Sequence, residues 1–162
     1  MAVGIVYYSS SNNTRTAALH LAVKKGATVI ELTELNGRKG LFGVMKSMLS
    51  ASKGQVPKLQ GDPWKAIEPL DMVFIMTPIW GGEMAPPMVS FMQNAEFKGK
   101  EAVAVTFQGD RKGEGSSKVH DKIKQRVTES GGCFIKGYAL HGAFPGKYAG
   151  KAYLEGQIDK II

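Results

Sequence analysis

Short apolar runs alternate along this chain with segments in which apolar residues recur every three or four positions. A run of about four to eight residues that is rich in β-branched and aromatic side chains predicts a buried strand. Such runs occupy 3–8, 28–32, 71–77, 101–107 and 133–140. The run at 71–77 is apolar almost throughout, which is typical of a central strand covered on both faces.

Helical segments follow these strands one by one. They are predicted at 14–25, within 37–54, from 86 onward, from 116 or 117 to 130, and in the tail 151–162. Pro86 and Pro87 suit the first turn of the third helix, where an amide donor is not needed, and Ser116 or Ser117 can cap the fourth. This alternation predicts a parallel sheet with helices on both faces and right-handed crossovers.

Composition limits the class of protein. A chain of 162 residues is predicted to fold as one domain, 1–162, which needs no disulfide or structural metal. Its one cysteine, Cys133, has no disulfide partner and is expected to be a buried apolar residue near the start of a strand.

The N-terminus lacks the basic segment of a signal peptide, and no apolar run reaches the length of a membrane span. The expected location is therefore cytoplasmic, without membrane contact.

The net charge is +7, which permits attraction to nucleic acid, anionic lipid or an acidic protein. The basic residues are spread along the chain and form no block of five or more. A solvated basic surface is the simplest interpretation. Basic and aromatic residues do not interleave, so no specific nucleic-acid site is predicted.

A run of small polar residues separates the first strand from the first helix: Ser9, Ser10, Ser11, Asn12, Asn13 and Thr14. Amide groups at a helix start attract anions, and hydroxyls add further donors. Asparagine also tolerates the left-handed backbone of a tight phosphate-wrapping turn. The run therefore predicts a phosphate site, and the alternative is that Ser11 or Asn13 only caps the helix. Because the loop contains no lysine, it suits the monoester phosphate of a ligand that is bound at this site but not transferred.

This loop resembles the phosphate loop of the flavodoxin family. Ser9, Ser11 and Thr14 match its hydroxyl positions, and Asn12 stands where that family has a glycine. The segment TPIWGG at 77–82 resembles the flavin-stacking loop that follows the third strand in the same family. The order of strands and helices is similar over essentially the whole chain. The resemblance implies a three-layer, doubly wound, five-stranded parallel sheet with strand order 2-1-3-4-5, and FMN as the cofactor.

The second loop is then expected to contribute six residues to the cofactor site: Thr77, Pro78, Ile79, Trp80, Gly81 and Gly82. The Trp80 indole offers a broad apolar face on which a flavin ring can stack, and the alternative is that it packs against the helix that begins at Pro86. In flavodoxin-like proteins a peptide of this loop reorients when the flavin is reduced, and the resemblance implies the same for 79–82. The two glycines make that change feasible, while an ordinary turn is the alternative.

The third loop is expected to contribute Thr106, Phe107, Gln108 and Gly109. Gln108 and backbone N–H groups can donate to the carbonyl oxygens at the pyrimidine edge of a flavin. Arg111 or Lys112 can stabilise the anionic reduced ring, and they can equally be solvated loop charges. His20, His120 and His141 do not share metal-ligand spacing with carboxylates, so no metal site and no catalytic residue are predicted.

These expectations leave the function open between two main hypotheses. The first is an electron carrier that receives electrons from a reductase and passes them on through its FMN. Because the chain is basic, its redox partner proteins are expected to be acidic. The second is an FMN-dependent NAD(P)H oxidoreductase that acts on quinones or similar acceptors. A flavin-free interaction domain on the same scaffold is a third hypothesis, and either a monomer or a homodimer is compatible with the sequence.

Overall fold

The computed structural model describes residues 1–35, 56–109, 114–144 and 146–162. The helix predicted within 37–54 lies outside these residues, as do the charged side chains of Arg111 and Lys112. Within the described part of the chain, no helix combines the length and the apolar character that crossing a membrane requires.

Five of the six strands form one parallel sheet. The strands are β1 (Val3–Tyr7), β2 (Thr28–Glu31), β3 (Met72–Trp80), β4 (Glu83–Met84), β5 (Glu101–Gln108) and β6 (Cys133–His141). The parallel strands follow the order β2-β1-β3-β5-β6, and β4 pairs antiparallel with the end of β3. Counted without β4, this is the predicted order 2-1-3-4-5, so the predicted fold class is confirmed.

Helices cover both faces of the sheet. They are α1 (Asn13–Lys25), α2 (Pro86–Asn94), α3 (Glu114–Glu129) and α4 (Lys151–Ile158), with a short 3₁₀ turn at Lys65–Ile67. Alternate residues of the strands point to opposite faces. On β3, Val73 and Ile75 join the core beneath α2 and α3, while Phe74 and Met76 join the core beneath α1 and α4. The result is three layers with two apolar cores.

The ends of the helices follow the sequence signals closely. Gly26 ends α1 in the left-handed conformation, with φ of 59°, and its amide donates to the carbonyl of Ala22. Pro86 and Pro87 occupy the first turn of α2, as predicted. Gly26 turns the chain from α1 toward β2, and Pro86 and Pro87 set where the chain enters α2.

The segment after β3 differs from the expected loop. The strand continues to Trp80, and Trp80 pairs with Glu83 across a two-residue turn made of Gly81 and Gly82. Their φ angles are 57° and 79°, and a two-residue hairpin turn with two positive φ angles favours glycine at both positions. The glycines therefore make a tight hairpin, which we call the β3–β4 hairpin.

Two local expectations are wrong. Neither Ser116 nor Ser117 caps α3, because Glu114 is already helical, and the Ser116 hydroxyl bonds to Gln108 and Thr106. Cys133 does begin a strand, but it is exposed. The reason is that β6 is the last strand of the sheet and most of its side chains are only partly covered.

Candidate functional site

The carboxyl ends of β1, β3 and β5 converge on one pocket, because parallel strands end at the same edge of a sheet. All three predicted loops contribute to its wall. The lining residues are Ser9, Ser10, Ser11, Asn13, Thr14, Pro78, Ile79, Trp80, Phe107, Gln108, Gly109, Gly142 and Ala143. Five of the predicted site residues are outside this lining: Asn12, Thr77, Gly81, Gly82 and Thr106.

The start of α1 forms the polar end of the pocket. Asn12 adopts the left-handed conformation with φ of 64°, and no side chain caps the helix. The first turn of an α-helix has amide groups without intrahelical partners, and they carry partial positive charge. Ser9, Ser10 and Thr14 add side-chain hydroxyls to this end of the pocket. This end of the pocket can therefore donate several hydrogen bonds to an anion without a cationic side chain.

Asn13 has a structural role that its sequence position did not reveal. Its amide nitrogen donates to the Lys147 carbonyl at 2.7 Å and to the Ser11 hydroxyl at 3.1 Å, and its Oδ1 accepts from the Ala149 amide at 2.8 Å. The side chain is 6% exposed. The Asn13 carboxamide thus holds the segment that follows β6 against the start of α1, and is not a spare donor for a ligand.

Trp80 lies in the pocket wall but is mostly covered. It is 7% exposed, and its ring meets the Tyr8 ring edge to face, with centroids 5.7 Å apart. Burial raises the pKa of the Tyr8 phenol to about 12, so this neighbour is neutral at physiological pH. A flat ligand that stacks on Trp80 must therefore displace part of the present packing around the indole.

The hydroxyls of Thr77 and Thr106 are engaged inside the protein. Thr77 donates to the Pro78 carbonyl at 3.0 Å and accepts from the Ala85 amide at 3.3 Å, so it closes the base of the β3–β4 hairpin. Thr106 bonds to side chains of α3 and to the Tyr138 carbonyl. Both threonines are fully buried. They support the pocket from behind and do not reach into it.

Two lining residues were missed by the sequence prediction. Gly142 and Ala143 follow β6 and form part of the pocket wall. They also separate it from a neighbouring groove of about 480 Å³, whose wall includes His141, Phe144, Lys147 and Tyr153. The exit from the last parallel strand meets the same sheet edge as the other loops, and that topological signal could have identified this segment.

Ion pairs fix the outer side of the hairpin. Glu83 accepts from Lys118 at 2.6 Å and also from Lys122, both on α3. These bonds hold the pKa of the Glu83 carboxyl below its usual value. Among the described residues there is no cluster of three or more potential metal ligands.

Comparison with known proteins adds fold-level evidence. No protein-family model matches the sequence, and no curated protein sequence matches it significantly. Solved structures do match. A protein assigned as a flavoprotein from Bacteroides uniformis is 19% identical with a TM-score of 0.73, and the match covers 98% of this chain and 97% of the other.

Two further solved structures are similar to this chain over most of its length. A flavoprotein in complex with FMN from Lactobacillus acidophilus is 16% identical over 85% of this chain and 92% of its own, with a TM-score of 0.66. A flavodoxin, WrbA-like protein from Agrobacterium tumefaciens is 13% identical over 99% and 96%, with a TM-score of 0.61. The strand order and these similarities together show that the chain has the flavodoxin-like fold.

Proposed function

We propose that this protein binds FMN and carries electrons between redox partners. The observation that carries the proposal is the polar end of the pocket, where the uncapped start of α1 and the hydroxyls of Ser9, Ser10 and Thr14 stand at the carboxyl end of strand β1. An FMN phosphate needs this set of donors: several N–H and O–H groups at a helix N-terminus. A neutral donor set holds the phosphate without activating it for transfer.

The other end of the pocket suits the ring system. Pro78, Ile79, Trp80 and Phe107 supply apolar surface, and Gln108 supplies a polar side chain. A bound flavin would provide the redox chemistry, while these residues would bind it, orient it and exclude water from one side. Gly81 and Gly82 allow the hairpin tip to change conformation beside the ring.

The proposal extends to the partners of the protein. A net charge of +7 favours acidic redox proteins as electron donors and acceptors. Such partners would approach the sheet edge at which the pocket opens, because an electron must enter and leave through the exposed edge of the cofactor.

One experiment tests the cofactor directly. The protein is purified without added cofactor, its visible spectrum is recorded, and the supernatant after denaturation is analysed for FMN, FAD and riboflavin. We expect a yellow protein that releases FMN, or a colourless protein that takes up FMN at micromolar concentration and takes up riboflavin far more weakly. Uptake of neither flavin at millimolar concentration would remove the proposed function.

A second function is an NAD(P)H oxidoreductase that uses the same FMN. The groove beside the pocket favours it, because exposed Phe144 and Tyr153 with Lys147 could receive an anionic aromatic substrate. Anaerobic addition of NADH or NADPH to the FMN-loaded protein discriminates between the two functions. Rapid bleaching of the flavin with steady turnover of a quinone supports the reductase, and no bleaching supports the carrier.

A further inference from the structure

The Asn13 side chain joins the polar end of the pocket to the segment that follows β6. Its Nδ2 lies 2.7 Å from the Lys147 carbonyl oxygen and 3.1 Å from the Ser11 hydroxyl, and its Oδ1 lies 2.8 Å from the Ala149 amide nitrogen. Asn13 is 6% exposed. Because water competes little at such a position, the direction of each hydrogen bond can be assigned from the chemistry of the partners.

Two backbone partners fix which end of the Asn13 carboxamide is the nitrogen. The Lys147 carbonyl can only accept a hydrogen bond, and the Ala149 N–H can only donate one. Rotating the carboxamide by half a turn would place oxygen against oxygen at Lys147 and N–H against N–H at Ala149, so both bonds would be lost. The positions of Nδ2 and Oδ1 therefore follow from the backbone and do not depend on the Ser11 hydroxyl.

The orientation of Asn13 in turn fixes the role of the Ser11 hydroxyl. The amide nitrogen of an asparagine side chain carries two protons and accepts none. One of these protons is donated to the Lys147 carbonyl and the other to Ser11, whose oxygen must therefore accept. The single proton of the Ser11 hydroxyl takes no part in this contact and points away from Asn13. Ser11 is half-buried and lines the pocket.

We infer that Asn13 is a positioning residue that directs the Ser11 hydroxyl proton into the pocket. Ser11 then acts as a donor, which is the role that an anionic acceptor requires. The segment that follows β6 holds the same carboxamide, so residues 147–149 support the polar end of the pocket from the other end of the chain. The identity of the acceptor rests on the proposed function: if FMN binds here, the acceptor is a phosphate oxygen.

The hydrogen bonds of Asn13 can be tested without any cofactor, by following its two Nδ2 protons by NMR in the ¹⁵N-labelled protein. In Ser11→Ala the proton that is donated to Ser11 should move upfield because it loses its acceptor, and the proton that is donated to Lys147 should keep its shift. Ser10→Ala is the matched control, because Ser10 lines the pocket but is not among the partners of Asn13 in the described structure. Both protons should be unchanged there. Unchanged shifts in Ser11→Ala would overturn the inference.

The direction of the Ser11 proton is tested by a double-mutant cycle on FMN affinity. Ser11→Ala removes one donor to a charged acceptor, so it should weaken FMN binding by about tenfold and riboflavin binding little. Asn13→Asp keeps the shape of the side chain but replaces the N–H donor with a carboxylate oxygen. The Ser11 hydroxyl must then donate to that oxygen and is lost to the phosphate. The loss caused by Asn13→Asp should therefore be about tenfold smaller in the Ser11→Ala protein than in the wild type.

Fully additive losses would contradict the positioning role, since the added charge and any damage to the fold act equally with and without the Ser11 hydroxyl. In Ser10→Ala, by contrast, Asn13→Asp should cost as much as in the wild type, and a loss as small as in Ser11→Ala would also contradict the role. If Asn13→Asp does not fold, Asn13→Ala, which only releases the hydroxyl, should show coupling of the same sign and about threefold.

The two measurements separate the two proposals. If the wild-type protein binds no FMN, the proposed function fails, while the Nδ2 protons of Asn13 still decide whether Asn13 fixes the Ser11 hydroxyl. If FMN binds but the losses are additive, the proposed function stands and the positioning role is removed.

Discussion

At the residue scale, the polar run after β1 divides into two kinds of side chain. Asn13 bonds to Lys147 and Ala149 and so serves the fold. Ser9, Ser10 and Thr14 line the pocket. The sequence predicted all of them as equivalent phosphate donors. It could not show the division, because the segment that Asn13 holds lies at the other end of the chain.

Thr14→Val should weaken binding of FMN by about tenfold or more, because it removes one hydrogen bond to a charged phosphate and keeps the side-chain shape. Binding of riboflavin, which has no phosphate, should change little. The measurement is a fluorescence titration with both flavins. Thr16→Val is the control, since the Thr16 hydroxyl bonds to Tyr148 outside the pocket lining. Equal losses of affinity for FMN and riboflavin would contradict the assignment of the Thr14 hydroxyl to the phosphate site.

Trp80 can be tested through its own fluorescence, because the chain has two tryptophans, Trp64 and Trp80. A flavin that contacts the Trp80 indole should quench its emission strongly. In Trp64→Phe, FMN should therefore quench most of the remaining emission, and in Trp80→Phe it should quench little. Trp80→Ala should also bind FMN about tenfold more weakly, roughly the loss of one good aromatic contact. Similar quenching in both variants would remove Trp80 from the ring site.

At the element scale, the β3–β4 hairpin is the main departure from the predicted secondary structure. The apolar pattern of β3 continues through Ile79 and Trp80, but Pro78 and the following glycines looked like loop residues in the sequence. A proline is tolerated at position 78 because the hairpin hydrogen bond at this position needs a carbonyl acceptor and no N–H donor. The Pro78 carbonyl accepts this bond from the Ala85 amide at 3.3 Å. The tight turn then places Glu83 within reach of α3.

Gly82→Ala should destabilise the protein by about 1 kcal/mol, because a side chain is strained at the φ of 79° that the hairpin turn requires. Gly156→Ala is the matched change in α4, where glycine weakens the helix and an added Cβ meets nothing within 4 Å. It should stabilise the protein by about 0.5–1 kcal/mol. Urea unfolding of the three proteins provides both values, and effects of the same sign would contradict the hairpin geometry.

The link between the hairpin and α3 should depend on pH. The hydrogen bonds from Lys118 and Lys122 lower the pKa of Glu83 in the folded state. Stability from this link is therefore present above the unfolded pKa of about 4.5 and is lost as the pH falls through the lower folded value. The unfolding free energy of Glu83→Gln should therefore fall less than that of the wild type between about pH 5 and pH 3. The difference should be smaller than about 1 kcal/mol, because Glu83 is partly exposed.

The matched test of that link uses the variant Lys118→Met/Lys122→Met. With both cations removed, Glu83→Gln should no longer change the acid dependence. If Glu83→Gln still changes the pH dependence of the unfolding free energy in this variant, a group other than Lys118 and Lys122 lowers the pKa of Glu83. The hairpin would then not be held to α3 by these two ion pairs.

At the scale of the whole molecule, the site exists because five parallel strands end at one edge. β1, β3 and β5 are adjacent in the sheet although other elements separate them along the chain. Their loops and the exit from β6 therefore form one pocket. The net charge of +7 is also a property of the whole molecule, since it sets the sign of the field that an approaching charged molecule meets.

This field leads to a kinetic prediction for the FMN-loaded, reduced protein. Oxidation by the anion ferricyanide should slow by several fold when ionic strength rises from about 0.01 M to about 0.5 M, because salt screens the attraction. Oxidation by a cationic cobalt(III) hexaammine should accelerate over the same range. Stopped-flow absorbance follows both reactions. Parallel changes for the two oxidants would show that the basic charge does not act near the cofactor.

The sequence by itself determined the alternation of strands and helices, and with it the parallel sheet, the three layers and the edge at which a ligand site forms. These properties follow from apolar periodicity and from the handedness of crossovers, which are local or general. Only the tertiary structure decided which polar side chains face the pocket. Thr77, Thr106 and Asn13 turn to backbone and side-chain partners that are distant or hidden in the sequence. Gly142 and Ala143 reach the pocket only because β6 ends beside β5. Hydrogen-bond partners of this kind depend on three-dimensional proximity, which residue patterns do not encode.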